Sequence, residues 1–160
     1  SRQLPETQFV VARAPSLDDR LFSSVRWKGT KPIEVLARTD DVLAVADVAV
    51  TASGTATVQA ALHGRPMVVV YRLSPLTYRL GRRFVHVDTF AMVNLIAGRR
   101  IVPELIQDDC TPENVSREVL SLLTDPARFE ATRAALKDVR QKLGAPGASG
   151  RAAEAVLAMI

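Results

Sequence analysis

Residues 46–71 read ADVAVTASGTATVQAALHGRPMVVVY, and their pattern decides the fold. Asp47-Val48-Ala49-Val50-Thr51 is a short extended run rich in β-branched residues. Ser53-Gly54 interrupts it, Thr55 to His63 has the length of a helix, and Gly64 ends that helix. Pro66-Met67-Val68-Val69-Val70-Tyr71 is then nearly all apolar. Strands that are apolar on both faces and separated by helix-length segments belong to a parallel sheet covered by helices on both sides, with right-handed crossovers. The fold class expected is therefore α/β, a doubly wound parallel sheet.

The same alternation extends towards the start of the chain. Gln8 to Ala12 reads as a strand, Leu17 to Ser24 as a helix, Ile33 to Leu36 as a second short strand, and Asp40 to Val45 as a short helix capped by Asp40. Beyond Val102 the expectation changes to an all-helical tail over residues 103–160. Its helices are Pro103 to Gln107, Pro112 to Leu123 with Thr111 as N-cap, Pro126 to Leu143, and Arg151 to Ile160. Gly144 to Gly150, rich in small residues, reads as a hinge that lets the last helix dock elsewhere, a homodimer partner included.

Composition bounds the class. The 160 residues with 48% hydrophobic content suffice for one core, so residues 1–160 are expected to form a single domain. Asp, Arg, Lys or Glu interrupts every apolar stretch before it reaches the ~18 residues of a bilayer-spanning helix. Cys110 is the one cysteine, so the sequence offers neither an internal disulfide nor zinc-ligand spacing. Position 1 is Ser, and no signal core follows, so the chain reads as an N-terminally truncated fragment. Net charge is +4, but Arg72, Arg79, Arg82, Arg83, Arg99 and Arg100 cluster with Asp88 as the sole acid among them. That imbalance suits a local anionic partner or a solvated face. Ser74 to Phe84 reads as an amphipathic helix with Arg79, Arg82 and Arg83 off its apolar side, which lies either against anionic lipid or with its apolar face packed on the sheet.

The chemistry-bearing element is the strand that ends in Ser53-Gly54-Thr55 and opens a helix. A glycine there admits a ligand close to the backbone, the helix N-terminus presents unpaired N–H groups with partial positive charge, and the hydroxyls of Ser53 and Thr55 add donors. Such sites lie at the carboxyl ends of strands in open α/β sheets. A capped helix that binds nothing has the same local signature. Asn94 stands out because an amide in the apolar run Ala91-Met92-Val93-Asn94-Leu95-Ile96 needs a partner, in a ligand or in the backbone. His63 and His86 read as cap or surface residues rather than as bases.

Six separated segments carry a resemblance: Ala46-Asp47, Ala52 to Thr57, Pro66 to Val69, Tyr71-Arg72, Asn94-Leu95-Ile96-Ala97-Gly98 and Pro103-Glu104-Leu105-Ile106-Gln107. In order and spacing the chain resembles the lipid-A-disaccharide synthase family, from about Leu4 to Ile160. The resemblance implies the Rossmann-like C-terminal half of a glycosyltransferase B (GT-B) fold, which holds the uridine diphosphate of the donor. It implies transfer of 2,3-diacylglucosamine from its UDP donor to 2,3-diacylglucosamine 1-phosphate, an acylated sugar phosphate acceptor, with inversion, giving the lipid A disaccharide. No metal, no cofactor and no nucleic acid is implied. Donor-nucleotide contacts fall on Ser53, Gly54, Thr55, Gln59, Arg72 and Asn94, with Tyr71 and Glu104 as further candidates. Gln59 stands where the family usually has the ribose-binding Glu, and Val93 where it tends to have Pro. By the resemblance, the Asp that serves as general base and much of the acceptor pocket belong to the N-terminal domain, and a Gly-Ser-Arg phosphate motif precedes the part present here, so no catalytic residue is expected in this chain. The implied location is cytoplasmic, peripheral on the inner face of the inner membrane.

Two other readings stay open at this stage. One is an enzyme similar to UDP-N-acetylglucosamine 2-epimerase, which also uses a strand-Ser-Gly-helix turn. The other is a non-catalytic domain binding membrane or anionic polymer through its basic helix, recognisable by salt-sensitive liposome binding without UDP affinity.

Overall fold

The computed structural model describes residues 4–23, 25, 31–74, 89–145 and 147–159. Contacts divide the chain into two compact units, residues 1–47 and residues 48–160.

In the first unit, β1 (Val10–Arg13) and β2 (Ile33–Leu36) pair in parallel, Val10 opposite Ile33 and Arg13 opposite Leu36. Helix α1 is Asp19–Ser23 and α2 is Thr39–Val45. Arg13 organises its surroundings: it pairs with Asp19, lies 3.6 Å from Glu34, and stacks over the Phe22 ring at 5.1 Å. The expected cap on α2 moves. Arg38 occupies the N-cap position without a side-chain cap bond, and Asp40 lies in the first turn, where a negative charge favours the helix dipole.

The second unit is a three-stranded parallel sheet in the order β3-β4-β5, with β3 Ala49–Ala52, β4 Met67–Tyr71 and β5 Glu104–Ile106. Helix α3 (Thr55–Leu62) joins β3 to β4, and α4 (Met92–Ala97) precedes β5. After a 3-10 turn at Gln107–Asp109 come α5 (Pro112–Thr124), α6 (Pro126–Leu143) and α7 (Ala148–Leu157). Alternation along β4 explains how the sheet is covered on both sides. Val68 and Val70 pack with Leu105 against Val115, Val119 and Leu122 of α5. Met67 and Val69, fully buried, point the opposite way, and α3, α4 and α6 pack on one another to form the other layer, closed by Leu136 and Val139 of α6.

The parallel α/β architecture follows the expectation, and so do the two long helices. Thr111 accepts a bond from the Asn114 amide, with Pro112 in the first turn, and Asp125 accepts from the Arg128 amide before Pro126. The tail needs one correction. The helix expected over Pro103 to Gln107 is a strand, because the backbone of Glu104 to Ile106 completes the ladder beside Val69, Val70 and Tyr71 and Leu105 fills the core against Val68 and Leu122. Three residues in a helix would forgo both. Residues 103–160 are thus α-helical only from Pro112 onward, after the 3-10 turn at Gln107–Asp109. The last helix starts at Ala148 rather than Arg151, so Ala148 to Gly150 of the expected hinge segment are helical. The expected basic helix, with Arg79, Arg82 and Arg83, and His86 beyond it, lies outside the described residues.

No described helix is long and apolar enough to cross a membrane. Leu136 is fully buried while Leu157 on α7 is 70% exposed, and this contrast predicts their contributions. Leu136→Ala is expected to lower stability by about 2–5 kcal/mol and Leu157→Ala by under ~0.5 kcal/mol, measured as shifts in the urea unfolding midpoint. Equal losses would contradict the packing described.

Candidate functional site

The strand β3 ends at Ala52, and its ladder runs one residue further, the Ser53 N–H donating to the Val70 carbonyl at 3.3 Å. The chain then turns at Gly54, whose φ of 148° and ψ of −161° form a combination open almost only to glycine. A Cβ built at Gly54 would meet nothing within 4 Å, so the space above the turn is open. Thr57, itself buried, pins the turn from below: its N–H and its hydroxyl both donate to the Gly54 carbonyl, at 3.1 and 2.7 Å. With that carbonyl held against the helix, the N–H groups opening α3 point along its axis away from the body of the helix, and those of Thr55 and Ala56 precede any intrahelical acceptor. Thr55 and Ala56 are exposed there, and the first turn contains no acid. An anion approaching Gly54 would meet the positive end of the helix dipole and no steric obstacle.

Parallel pairing brings other expected residues to the same end of the sheet. Ala52 lies opposite Val70, so Tyr71 and Arg72 continue β4 beside the Ser53–Gly54 turn. Tyr71 is 36% exposed; the Arg72 guanidinium donates to the Cys110 carbonyl at 2.9 Å. Gln59 is half-buried, one turn further along α3, and His63 is that helix's C-cap, as its sequence position suggested. Gln107 plays a part that its sequence did not announce. Its side-chain amide brackets the backbone of Leu73, the Leu73 N–H donating to Oε1 at 2.5 Å and Nε2 donating to the Leu73 carbonyl at 3.2 Å. This two-bond clasp accompanies a left-handed backbone at Gln107 (φ 52°), a conformation that non-glycine residues adopt at a cost.

Asn94 and Glu104 form a closed buried pair. Asn94 Nδ2 donates to the Val102 carbonyl at 3.0 Å and to Glu104 Oε1 at 2.7 Å, while Oδ1 accepts from the Ile101 and Val102 amides at 2.8 and 3.1 Å. Its exposure is zero. The partner that Asn94 was expected to need is therefore protein, and direct contact with a donor sugar does not fit this geometry, since both hydrogens and the oxygen are already engaged. Glu104 is also buried. Its Oε2 accepts from the Phe90 N–H at 2.8 Å and its Oε1 from the Ala91 N–H at 3.1 Å, so from a neighbouring strand it anchors the two residues that lead into α4 rather than sitting in the first turn of its own helix. The network reaches the turn through one more bond: the Ser53 hydroxyl donates to the Phe90 carbonyl at 3.2 Å.

A groove of about 400 Å3 lies elsewhere, along β5, α5 and α6. Of the candidate donor-contact residues it includes Glu104 alone, beside Arg100 of the arginine cluster. Charge there is largely answered within the protein: Arg128 donates to Glu118 at 2.6 Å and to Ser121 at 2.7 Å, and Arg117 lies 3.7 Å from Glu118. The open α3 terminus has the better chemistry for a diphosphate, because the N–H groups of Thr55 and Ala56 precede any intrahelical acceptor.

Comparison with known proteins agrees with the sequence pattern. A family model described as lipid-A-disaccharide synthetase matches residues 1–159. The chain is 43% identical over 157 residues to a lipid-A-disaccharide synthase of Geobacter sulfurreducens, covering 98% of this chain and 41% of that protein. It is 46% identical over 159 residues to one from Anaeromyxobacter sp., covering 98% and 41%. A Myxococcus xanthus lipid-A-disaccharide synthase is 42% identical over 161 residues, covering 100% and 42%. The chain thus spans about two fifths of the length of these curated relatives. On the match over nearly its whole length, the chain belongs to the lipid-A-disaccharide synthetase family.

Proposed function

We propose that this chain is the donor-nucleotide-binding part of an inverting glycosyltransferase that makes the lipid A disaccharide. The observation that carries the proposal is the open N-terminus of α3 at the carboxyl end of β3, with Gly54 clear of any atom within 4 Å of a Cβ. Family membership supports the identity of the ligand as UDP-2,3-diacylglucosamine and that of the acceptor as 2,3-diacylglucosamine 1-phosphate.

In this reading the amides of Gly54, Thr55 and Ala56 receive the diphosphate, with the Thr55 hydroxyl as an additional donor. As the glycosidic bond to the donor breaks, negative charge grows on the leaving diphosphate, and amides already fixed by Thr57 stabilise it without reorganising. Ser53 shapes the turn, since its hydroxyl is already directed at Phe90. Arg72 and Tyr71 flank the same end of the sheet and add charge and an aromatic edge. Gln59 takes the ribose side, where an amide offers one acceptor in place of a carboxylate's two. The two compact units together make the nucleotide-sugar domain. The attacking hydroxyl's base and the acceptor pocket belong to the rest of the enzyme, so this chain alone carries no turnover. The whole protein works at the cytoplasmic face of the inner membrane, and α7, exposed along its length, docks on a second subunit.

Titration calorimetry tests the ligand. UDP is expected to bind with a Kd on the order of tens to hundreds of micromolar, about 5 to 6 kcal/mol, and free glucosamine derivatives more weakly. Gly54→Val fills the open space and imposes a backbone that a β-branched residue avoids, so UDP binding should be lost while circular dichroism remains native. Equal UDP affinity in the two folded proteins would make the turn a structural cap and remove the nucleotide assignment. Gln59→Glu is expected to hold or improve UDP affinity by restoring the second acceptor for ribose; a marked loss would place Gln59 away from the nucleoside.

A further inference from the structure

We propose that Glu104 is a positioning residue for the Ser53–Gly54–Thr55 turn, acting through the Phe90–Ala91 peptide, with Asn94 as its partner. The proposal rests on the reading of that turn as the diphosphate site and adds a remote residue that sets its shape. Three donors converge on the buried carboxylate: the Phe90 N–H at Oε2, and the Ala91 N–H and Asn94 Nδ2 at Oε1. The Phe90 residue held by its N–H offers its carbonyl to the Ser53 hydroxyl at 3.2 Å. The chain of bonds therefore runs from β5 through the entry to α4 to the residue before Gly54, and it joins segments far apart in sequence.

A carboxylate is required by the count of donors. Glutamine has one oxygen, so it can keep either the two donors at Oε1 or the one at Oε2, and its NH2 would oppose an N–H on the other side. In Glu104→Gln the NH2 must face either the Phe90 N–H or the Ala91 N–H, on one side or the other of Phe90. Either opposition displaces Phe90, whose carbonyl shares a peptide with the Ala91 N–H and tethers Ser53. The buried pair thereby transmits its geometry to the donor site without touching ligand, as full satisfaction inside a low-dielectric interior makes such a network rigid.

The test is a coupling measurement in the protein. UDP affinity is compared for wild type, Glu104→Gln, Ser53→Ala, the double variant, and Glu130→Gln as a control for loss of an exposed charge. Glu104→Gln and Ser53→Ala are each expected to weaken UDP roughly tenfold, the double variant no more than either alone, and Glu130→Gln not at all. A folded Glu104→Gln protein that binds UDP as wild type does, or a double variant whose loss is the product of the single losses, would overturn the proposal; a purely structural Glu104 would lower the melting temperature without this coupling. Where Glu104→Gln does not fold, Glu104→Asp keeps both oxygens one methylene short and is expected to show the same non-additivity with Ser53→Ala. If wild type itself binds no UDP, the nucleotide reading falls, and the positioning claim is decided without ligand. The amide resonances of Gly54 and Thr55 should then shift in Glu104→Gln and shift no further when Ser53 is already Ala; unmoved resonances would refute it.

Discussion

A carboxylate taken out of water must have its oxygens answered, and Glu104 answers its own with two backbone amides and one side-chain amide. That requirement fixes much of what surrounds it. Because Glu104 also pairs with Val69 across the sheet, the strand that carries the carboxylate cannot shift register without breaking both the ladder and the polar pair. Helix α4 has six residues, too few to be stable by propensity. It is held instead at its start by Glu104 and at its end by Lys142 of α6, whose ammonium donates to the Ile96 and Ala97 carbonyls at 3.1 and 3.0 Å. Charges from distant parts of the chain thus supply at each end of α4 the sign that its dipole favours.

The same logic of satisfied polar groups separates the candidate site from the scaffold. Asn94, Glu104, Gln107 and Thr57 are buried polar residues whose hydrogen bonds close within the protein, and all four act on backbone. The opening of α3 is different. It follows a strand, its glycine is unobstructed, and the amides of Thr55 and Ala56 face outward, so it is the place where an anion gains donors without displacing an internal acceptor. The groove beside β5 is lined by arginine and glutamate that already pair with each other.

Much of this was legible in the sequence where local chemistry decides structure. The apolar run Met67 to Tyr71, the Gly punctuation at Gly54 and Gly64, and Thr111-Pro112 at the start of α5 each specify their element without help from elsewhere. Strand β5 was not legible. Pro103-Glu104 imitates a helix start, three residues are too few to show a period of two, and the outcome was set by long-range pairing with β4. Asn94 illustrates a half-readable case, because its isolation among apolar residues correctly demanded a partner but could not say that the partner was Glu104 and the Ile101–Val102 backbone. The clasp of Gln107 on Leu73 spans 34 positions and leaves no local trace.

The central claim is that the turn opening α3 receives a diphosphate, and a crystal structure of the protein with UDP tests it most directly. The account predicts phosphate oxygens within about 2.7–3.2 Å of the amide nitrogens at the start of α3, with the ribose towards Gln59. UDP seated in the groove along β5, or on the surface with its phosphates away from Gly54, would contradict it.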